Sequence, residues 1–360
     1  MIQCFVTATP TSERLAEGRS ARQVLVASLV LAAARGADIK LVSDPEPADV
    51  VIFAEWNGTE REDSDDVVRV MRTPEYRAHA GKTIVHSGKD FPRPLIPGLY
   101  PSLPAQWAGV LGCQGAPFLN DPNPFIGDDV GWNGRIRHLA SFFGSCAHKP
   151  VRGRLLEEGA AGRWRDIAVQ NTSDEFIATL RRGDDDGHNA LKRLFVQDVL
   201  AAKFALCPKG SGRATFRMFE AMQAARAPVV IADGWSAPPG PDWDTFLIRV
   251  PERQIAALPK ILRAYEPEWK ERGEKAQAAW RAFYSPETLG VTVVRQAVGV
   301  LDALKTRRTF PVLANLYVQG PRRLAMLRNK LSRRLERGRT RGGSRAQLAA
   351  RADASIKHSG

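Results

Sequence analysis

The feature that most constrains this fold is the stretch 204–235, where strand, turn and helix signals follow one another without a gap. The apolar run Phe204–Cys207 is typical of a buried strand, and the proline after it has no N–H for a sheet ladder. The basic turn Lys209-Gly210-Ser211-Gly212 follows, and apolar side chains then recur at helical spacing from Ala214 or Thr215. A second apolar run closes the unit. The stretch therefore predicts a strand, a phosphate-sized loop, a helix and a parallel strand.

Two charged residues of this helix, Arg217 and Glu220, suggest its chemistry. Residues three apart lie on one helix face, here one turn from the glycine-bearing loop. The arginine can fork onto a diphosphate, and the glutamate can accept hydrogen bonds from a ribose diol. The pair can equally be a surface ion pair, because loops of this kind also occur in α/β proteins for packing alone. Both interpretations stay open on these residues alone.

The same stretch forms a series of short motifs. The chain reads C-P-K-G-S-G, T-F-R-M-F-E-A, A-P-V-V-I and A-D-G-W in order, and then W-D-T-F-L-I-R-V-P-E over Trp243 to Glu252. The series resembles that of the exostosin family of glycosyltransferases (glycosyltransferase family 47). Within this family, we expect a bacterial-type member. Its departures are Lys209 for an arginine, Thr215 for a serine, and Ala225-Arg226 where a glycine is common. Lysine keeps the charge but loses the bidentate fork of arginine.

The resemblance implies a GT-B fold, in which two Rossmann-like α/β domains face each other across a cleft. It also implies inversion at the anomeric carbon, a nucleotide-diphosphate sugar donor with UDP as the expected nucleotide, and no metal or other cofactor. The implied donor site comprises Lys209, Gly210, Ser211, Gly212, Thr215, Arg217 and Glu220. Inversion needs a general base on the acceptor hydroxyl. We expect it from the N-terminal domain, where Asp90 and Glu55 follow predicted strands and His86 lies behind them.

A second block carries the resemblance more weakly. Residues Arg137 to Gly144 predict a strand ending in F-F-G, and a helix with Arg152 and Arg154 follows. The resemblance implies that Gly144 lets substrate approach the backbone closely, and that one of the two arginines binds acceptor or phosphate. Equally, both arginines can cap a helix at the surface.

Strand–helix alternation also runs through the N-terminal part of the chain. Ile2–Val6 and Ala48–Ala54 have the composition of buried strands. Ala21–Arg35 has helical periodicity, and Ser20 with Gln23 forms a capping-box pattern at its start. The alternation predicts an α/β layer fold.

Three segments are expected along the chain. Residues 1–187 would form an N-terminal, acceptor-side Rossmann-like domain, residues 188–304 a nucleotide-sugar-binding domain, and residues 305–360 a basic tail. Charge supports the last division. The chain has 52 basic and 39 acidic residues, and the tail holds fifteen of the basic and two of the acidic ones. The remainder is therefore neutral.

Leucines at helical spacing with arginines between them predict a basic amphipathic helix in this tail. Such a helix suits an anionic membrane surface, although a packed helix with a solvated basic face fits equally well. Nucleic acid is not an expected partner, because the tail has few aromatic residues and the body has no basic stripe.

The composition and short motifs indicate the cellular compartment and whether a metal site is expected. The four cysteines are scattered, and no signal-peptide pattern or long apolar window stands out, so we expect a cytoplasmic protein, peripheral at the inner face of the membrane. Asp63-Ser64-Asp65 is nominally a metal-binding D-x-D, but its charged surroundings indicate a solvated loop.

The leading hypothesis is an inverting, metal-independent glycosyltransferase in cell-surface polysaccharide synthesis. It would use a UDP-sugar and a saccharide acceptor, and a lipid-linked acceptor would suit the tail. One alternative is a catalytically inactive protein of the same fold that docks on membrane or nucleic acid through the tail. A second is another nucleotide-dependent enzyme that uses the same loop.

Overall fold

The computed structural model describes residues 1–14, 16, 19–55, 66–127, 136–147 and 149–305. Residues Met1–Thr306 form one compact unit. The basic tail, apart from its first residue, and the Asp63-Ser64-Asp65 loop lie outside the described residues. Among the helices that are described, none has both the length and the apolar character needed to span a membrane.

The described residues contain strands that pair in parallel throughout two sheets. The strands are β1 (Ile2–Thr7), β2 (Ile39–Leu41), β3 (Val50–Glu55), β4 (Thr83–Ser87), β5 (Gly98–Tyr100), β6 (Cys113–Gly115), β7 (His138–Gly144), β8 (Ile167–Asn171), β9 (Ala202–Pro208), β10 (Ala227–Ile231) and β11 (Ile248–Arg249). The predicted α/β architecture with two parallel sheets is confirmed.

The α-helices of the described residues lie between these strands or follow the last of them. They are α1 (Pro10–Arg14), α2 (Ala21–Ala34), α3 (Asp66–Val70), α4 (Pro74–His79), α5 (Pro150–Ala160), α6 (Ser173–Arg182), α7 (Asp185–Leu200), α8 (Arg217–Gln223), α9 (Leu258–Tyr265), α10 (Trp269–Phe283) and α11 (Leu289–Lys305). The capping box predicted for α2 is confirmed, since Ser20 accepts from the Gln23 N–H and the Gln23 side chain accepts from the Ser20 N–H.

The first sheet has the strand order β2-β1-β3-β4-β5-β6. Its central strand β3 reads V-V-I-F-A-E and is buried along its whole length, as expected of a parallel strand covered on both faces. The order reverses between β1 and β3, so this sheet has its switch point there. We call this sheet and the helices that cover it the first lobe.

The second sheet has the order β11-β10-β9-β7-β8 and reverses between β7 and β9. The predicted unit of strand, loop, helix and strand is present as β9, α8 and β10, with Phe204 opposite Ala227 and Cys207 opposite Val230 in the ladder. This sheet and its helices α5 to α10 form the second lobe.

Sheet membership divides the chain earlier than the boundary expected at residue 187. The first sheet ends with β6, and β7 already belongs to the second sheet. Helix α11, the last of the described helices, returns to the first lobe, where the Gly290 N–H donates to Ser28 Oγ of α2 at 2.7 Å. The expected second domain, residues 188–304, therefore omits two strands of its own sheet and includes a helix that packs on the other lobe.

The two lobes meet along loops at the carboxyl ends of their strands. The Ala105 N–H donates to the Gly234 carbonyl at 2.8 Å, and Pro104 forms an isolated antiparallel bridge with Trp235. Gly115, the last residue of β6, lies directly against the Ser236 carbonyl. These contacts bring the carboxyl edges of the two sheets to the same crevice.

Candidate functional site

The crevice between the lobes includes the switch point of the second sheet. Strands β7 and β9 are neighbours in the sheet, but the chain continues from β7 to β8 on one side and from β9 to β10 on the other. The loops that follow β7 and β9 therefore diverge. Open α/β sheets bind ligands at such points. The loop after β9, Lys209-Gly210-Ser211-Gly212, lies here and is called the glycine loop below.

Arg217, the first residue of α8, crosses from this loop to the end of β7. Its Nε donates to the Phe143 carbonyl at 3.0 Å, and its guanidinium lies over the Phe142 ring at 5.5 Å. A methyl group on Gly144 would collide with its Nη2. Gly144 therefore gives close approach to Arg217 itself, which corrects the expectation that it makes room for substrate. Burial lowers the pKa of Arg217, and the charge of Glu220 opposes this shift.

Arg152 is the buried arginine of α5. It is 5% exposed, and its Nη1 and Nη2 donate to the carbonyls of Ser145 at 2.9 Å and Pro208 at 3.4 Å. Its Nε has no hydrogen-bond partner among the described residues. Burial, followed by the charge of Arg217, lowers the pKa of Arg152 to about 9. Arg154, the other arginine considered, is half-exposed and lies 3.9 Å from Glu252.

Lys149 completes a group of cations that we call the cation cluster, Lys149, Arg152 and Arg217. Its Cε would lie 3.8 Å from a methyl group on Gly210, and Arg152 Nη2 would lie 3.2 Å from the same methyl. Burial and the charge of Arg152 lower the pKa of Lys149. The glycine at position 210 thus lets these cations approach the loop backbone.

Asp90 reaches this loop from the first lobe. Its carboxylate accepts hydrogen bonds from the Gly212 N–H and the Ser211 side chain. A methyl group on Gly212 would lie 2.6 Å from Asp90 Oδ1 and 2.5 Å from Ser102 Oγ, which also belongs to the first lobe. Burial raises the pKa of Asp90, while the two hydrogen bonds and the charges of Lys149 and Arg152 oppose this shift.

Thr215 lies between the glycine loop and α8. Its side chain is 8% exposed, and its Oγ1 has no hydrogen-bond partner among the described residues. A buried hydroxyl without a partner is costly to a fold. At this position the predicted site therefore has a buried hydroxyl that can form a hydrogen bond with a bound ligand.

Glu220 is held at the other end of the site. Its Oε1 accepts from Asn123 Nδ2 at 3.2 Å, and burial raises its pKa against the opposing charges of Arg217 and Lys192. It lines a cavity of about 720 Å³ between the lobes, together with Phe216 and Lys192. Arg217 and Glu220 are therefore not the exposed surface pair that the sequence also allowed.

Lys209 has a different surrounding from the rest of the glycine loop. Its Nζ lies 2.6 Å from Glu252 Oε1, and the same oxygen accepts from the Asp233 N–H at 2.9 Å. The glutamate of the V-P-E motif thus neutralises the lysine and joins it to the D-G-W motif. The structure links these three motifs through one carboxylate.

The other two base candidates lie away from the glycine loop. Glu55 ends β3 at the switch point of the first sheet, is fully buried, and accepts from the Thr9 N–H and Oγ1 at 2.8 and 2.7 Å. Burial raises its pKa to about 6. His86 is buried, its Nε2 donates to the Pro117 carbonyl at 2.8 Å, and burial lowers its pKa to about 4. Of the three candidates, the structure brings Asp90 to the predicted donor loop.

Sequence reasoning did not single out Lys149, Ser102 or Asn123. Lys149 precedes the helix of the weaker motif block, so its proximity to Arg152 along the chain was an available signal. Ser102 and Asn123 come from irregular, proline-rich segments of the first lobe, where no periodicity predicts side-chain position.

Comparison with known proteins supports the resemblance. Residues 130–265 match the family model described as the Exostosin GT47 domain. Exostosin-1b of Danio rerio is 32% identical over 85 residues, and Exostosin-1 of Mus musculus is 30% identical over 87 residues. Each match covers 23% of this chain and 12% of the relative. The similarity to the exostosin family is thereby confirmed for a part of the chain.

Two solved structures align with most of this chain at low sequence identity. WaaG, a glycosyltransferase involved in lipopolysaccharide biosynthesis, matches with a TM-score of 0.36 and 13% identity over 81% of this chain and 99% of its own. HepE of Anabaena, in complex with UDP, matches with a TM-score of 0.35 and 11% identity over 85% of this chain and 100% of its own.

Proposed function

We propose that this chain, whose residues 130–265 match the Exostosin GT47 domain, is a glycosyltransferase that uses a nucleotide-diphosphate sugar. The observation that carries the proposal is the cation cluster beside the glycine loop. Arg152 is buried, and Lys149 and Arg217 lie partly buried beside it, at the switch point of the sheet in which that domain match lies.

Electrostatics favours a multiply charged anion at this position. The pKa values of all three cations are lowered, which means that the carboxylates around them do not fully compensate their desolvation. A diphosphate would supply the missing negative charge and would accept charge-assisted hydrogen bonds from the guanidinium groups. The unpartnered Nε of Arg152 and Oγ1 of Thr215 offer two further donors.

The cavity beside Glu220 suits the nucleoside part of the donor. Its volume of about 720 Å³ falls in the range of small-molecule sites. Glu220 lies between the cation cluster and this cavity, so its carboxylate can accept hydrogen bonds from a ribose diol while the phosphates lie beside Arg217. The family resemblance supports uridine as this nucleoside.

The proposed reaction is a direct displacement with inversion. The acceptor hydroxyl oxygen attacks the anomeric carbon, the bond from that carbon to the diphosphate oxygen breaks, and the hydroxyl proton passes to Asp90. Asp90 fits the role of base because it comes from the first lobe and already reaches the glycine loop. The cation cluster would stabilise the leaving diphosphate, so the chemistry proposed here uses no metal.

The test is UDP binding by calorimetry to the wild-type chain, Arg152→Met and Arg217→Met. Each substitution removes one guanidinium from the cluster, so we expect affinity to fall by about 10- to 100-fold. Arg163→Met is the matched control, because Arg163 is exposed and pairs with Glu158 at the surface. Unchanged affinity in both cluster variants would remove the cluster from the donor site.

The acceptor and the location of the protein complete the proposal. We propose a saccharide acceptor in cell-surface polysaccharide synthesis, with the cytoplasmic face of the membrane as the site of action. The support is the neutral body and the concentration of positive charge in residues 305–360. Radiolabelled UDP-sugars offered with lipid and aqueous extracts would identify the acceptor by the phase in which label accumulates.

A further inference from the structure

The carboxylate of Asp90 already occupies polar groups of the glycine loop. Asp90 belongs to the first lobe, yet it accepts hydrogen bonds from the Gly212 N–H and the Ser211 side chain. The charges of Lys149 and Arg152 also act on it. In this structure the loop therefore holds an anion, and that anion is part of the chain.

The contact is close enough to exclude a second anion. Asp90 Oδ1 would lie 2.6 Å from a methyl group on Gly212, and Asp90 Cα would lie 2.8 Å from it. A phosphoryl oxygen that accepted from the Gly212 N–H would need the position of that carboxylate. It would also face a like charge at short distance, which is unfavourable in a partly buried site.

The loop itself keeps its support when Asp90 leaves. The Ala214 N–H donates to Ser102 Oγ at 3.4 Å, and the Lys209 N–H donates to the Ile231 carbonyl at 3.0 Å. Phe91, which follows Asp90, is 74% exposed, whereas Lys89, which precedes it, is buried, so the displacement is one of the Asp90 side chain rather than of the whole segment. The carboxylate is therefore the part of the contact that can be displaced.

We propose that Asp90 is a resident counter-anion of the glycine loop, which the donor diphosphate must displace and which is thereby released toward the acceptor. The inference rests on the proposed function, because it concerns the same donor site. It adds a coupling between donor and base: while the loop is empty, Asp90 is held by Gly212 and Ser211. Donor binding breaks these hydrogen bonds, so the carboxylate becomes available as a proton acceptor only when a donor is present.

The coupling predicts how the affinity for diphosphates changes when Asp90 is substituted. A ligand that must first displace a group from its site binds with an apparent affinity reduced by the fraction of molecules in which the site is free. Removing the charge of Asp90 should therefore strengthen the binding of diphosphates, although it removes a functional carboxylate. A carboxylate that only contributed contacts to the donor or supported the loop would have the opposite effect.

The experiment measures binding of inorganic pyrophosphate and of UDP by calorimetry to the full chain and two variants. Asp90→Asn keeps the size of the side chain and removes its charge, and Asp90→Ala removes both. We expect both ligands to bind roughly tenfold more tightly to each variant, because a charged hydrogen-bonded competitor is lost. Circular dichroism would confirm that each variant is folded.

Asp44→Asn is the matched control for a general effect of net charge. Asp44 is exposed, and its Oδ1 accepts from the Glu46 N–H in the loop between β2 and β3. We expect its affinities to equal those of the wild type. An equal gain in Asp44→Asn would overturn the inference, because net charge would then explain the result.

The outcomes separate this inference from the proposed function. If pyrophosphate binds the wild type, weakens in Arg152→Met, and is not tighter in Asp90→Asn, the counter-anion role is wrong and the donor site stands. If neither ligand binds the wild type or the Asp90 variants, the donor site is wrong and the inference fails with it. Tighter binding in both Asp90 variants alone supports the displacement.

Discussion

At the scale of single residues, Glu55 shows that the role of a carboxylate depends on its burial as well as on its position in the sequence. It follows a strand, as a catalytic carboxylate often does, but its side chain is fully buried and accepts two hydrogen bonds from Thr9. These bonds fix the chain after β1 at the switch point of the first sheet. Desolvation nevertheless outweighs them and raises the pKa of Glu55 from 4.5 to about 6.

This shift predicts a pH dependence of stability. Because the folded-state pKa lies above the unfolded value, the contribution of Glu55 to stability is fully present below pH 4.5 and is lost as the pH rises through about 6. The full loss corresponds to about 2 kcal/mol, of which about 1 kcal/mol falls between pH 5 and pH 8. Urea unfolding of wild type and Glu55→Gln at both pH values measures it.

The quantity to compare is the difference in unfolding free energy between the two proteins, since the other titrating groups cancel. Glutamine does not titrate, so the unfolding free energy of the wild type should fall relative to that of the variant as the pH rises. A difference that is the same at pH 5 and pH 8 would show that the Glu55 carboxyl titrates as an ordinary glutamate.

At the scale of secondary-structure elements, the end of α8 depends on one arginine. Arg226 is 1% exposed, and its guanidinium donates to the carbonyls of Ala202 at 2.7 Å, Leu200 at 2.9 Å, and Ala224 and Ala225 at 3.2 Å. Helices leave their last carbonyls without intrahelical partners. Arg226 satisfies carbonyls at the ends of both α7 and α8, and each of these helices contributes residues to the wall of the Glu220 cavity.

We expect Arg226→Met to lower the unfolding free energy by about 3 kcal/mol or more, because buried carbonyls lose their donors while the aliphatic volume is kept. Chemical denaturation measures the change. Arg163→Met is the control, since Arg163 is exposed and pairs with Glu158 at the surface, where ion pairs contribute little. A loss in Arg226→Met no larger than in Arg163→Met would mean that water replaces the guanidinium.

The elements also show what the sequence could and could not predict. The unit of β9, glycine loop, α8 and β10 follows from apolar runs, prolines and helical spacing, and the cap of α2 follows from Ser20 and Gln23. These are local signals. The partner of Arg217 was not predictable, because Phe143 lies 74 residues away and the contact depends on which strands are neighbours. The periodicity of apolar residues does not show which strands are neighbours in a sheet.

At the scale of the whole molecule, the same limit explains the domain boundary. The charged, glycine-flanked segment near residue 187 has the composition of a linker, but it joins α6 to α7 inside the second lobe. Helix α11, the last of the described helices, crosses back to α2, where the Gly290 N–H donates to Ser28 Oγ. Composition predicts where a chain turns, whereas lobe membership depends on which faces pack together.

The charge distribution of the whole molecule gives the final prediction. The chain has a formal net charge of +13, all of it due to residues 305–360, whose amphipathic helix lies outside the described residues and stays a prediction. We expect the full chain to bind vesicles that contain phosphatidylserine, with about 1 kcal/mol from each basic residue near the surface, and to dissociate as salt screens the charges. Vesicle sedimentation at increasing salt concentration measures this binding.

The variant that tests the tail replaces its clustered arginines, Arg322, Arg323, Arg328, Arg333, Arg334 and Arg337, with glutamine. It keeps the leucine face and removes the charge, so it should lose most vesicle binding while its affinity for UDP stays that of the wild type. Vesicles of phosphatidylcholine alone should bind neither protein. Equal binding of both proteins to anionic vesicles would place the membrane contact in the body, and equal binding to neutral vesicles would assign it to the leucine face.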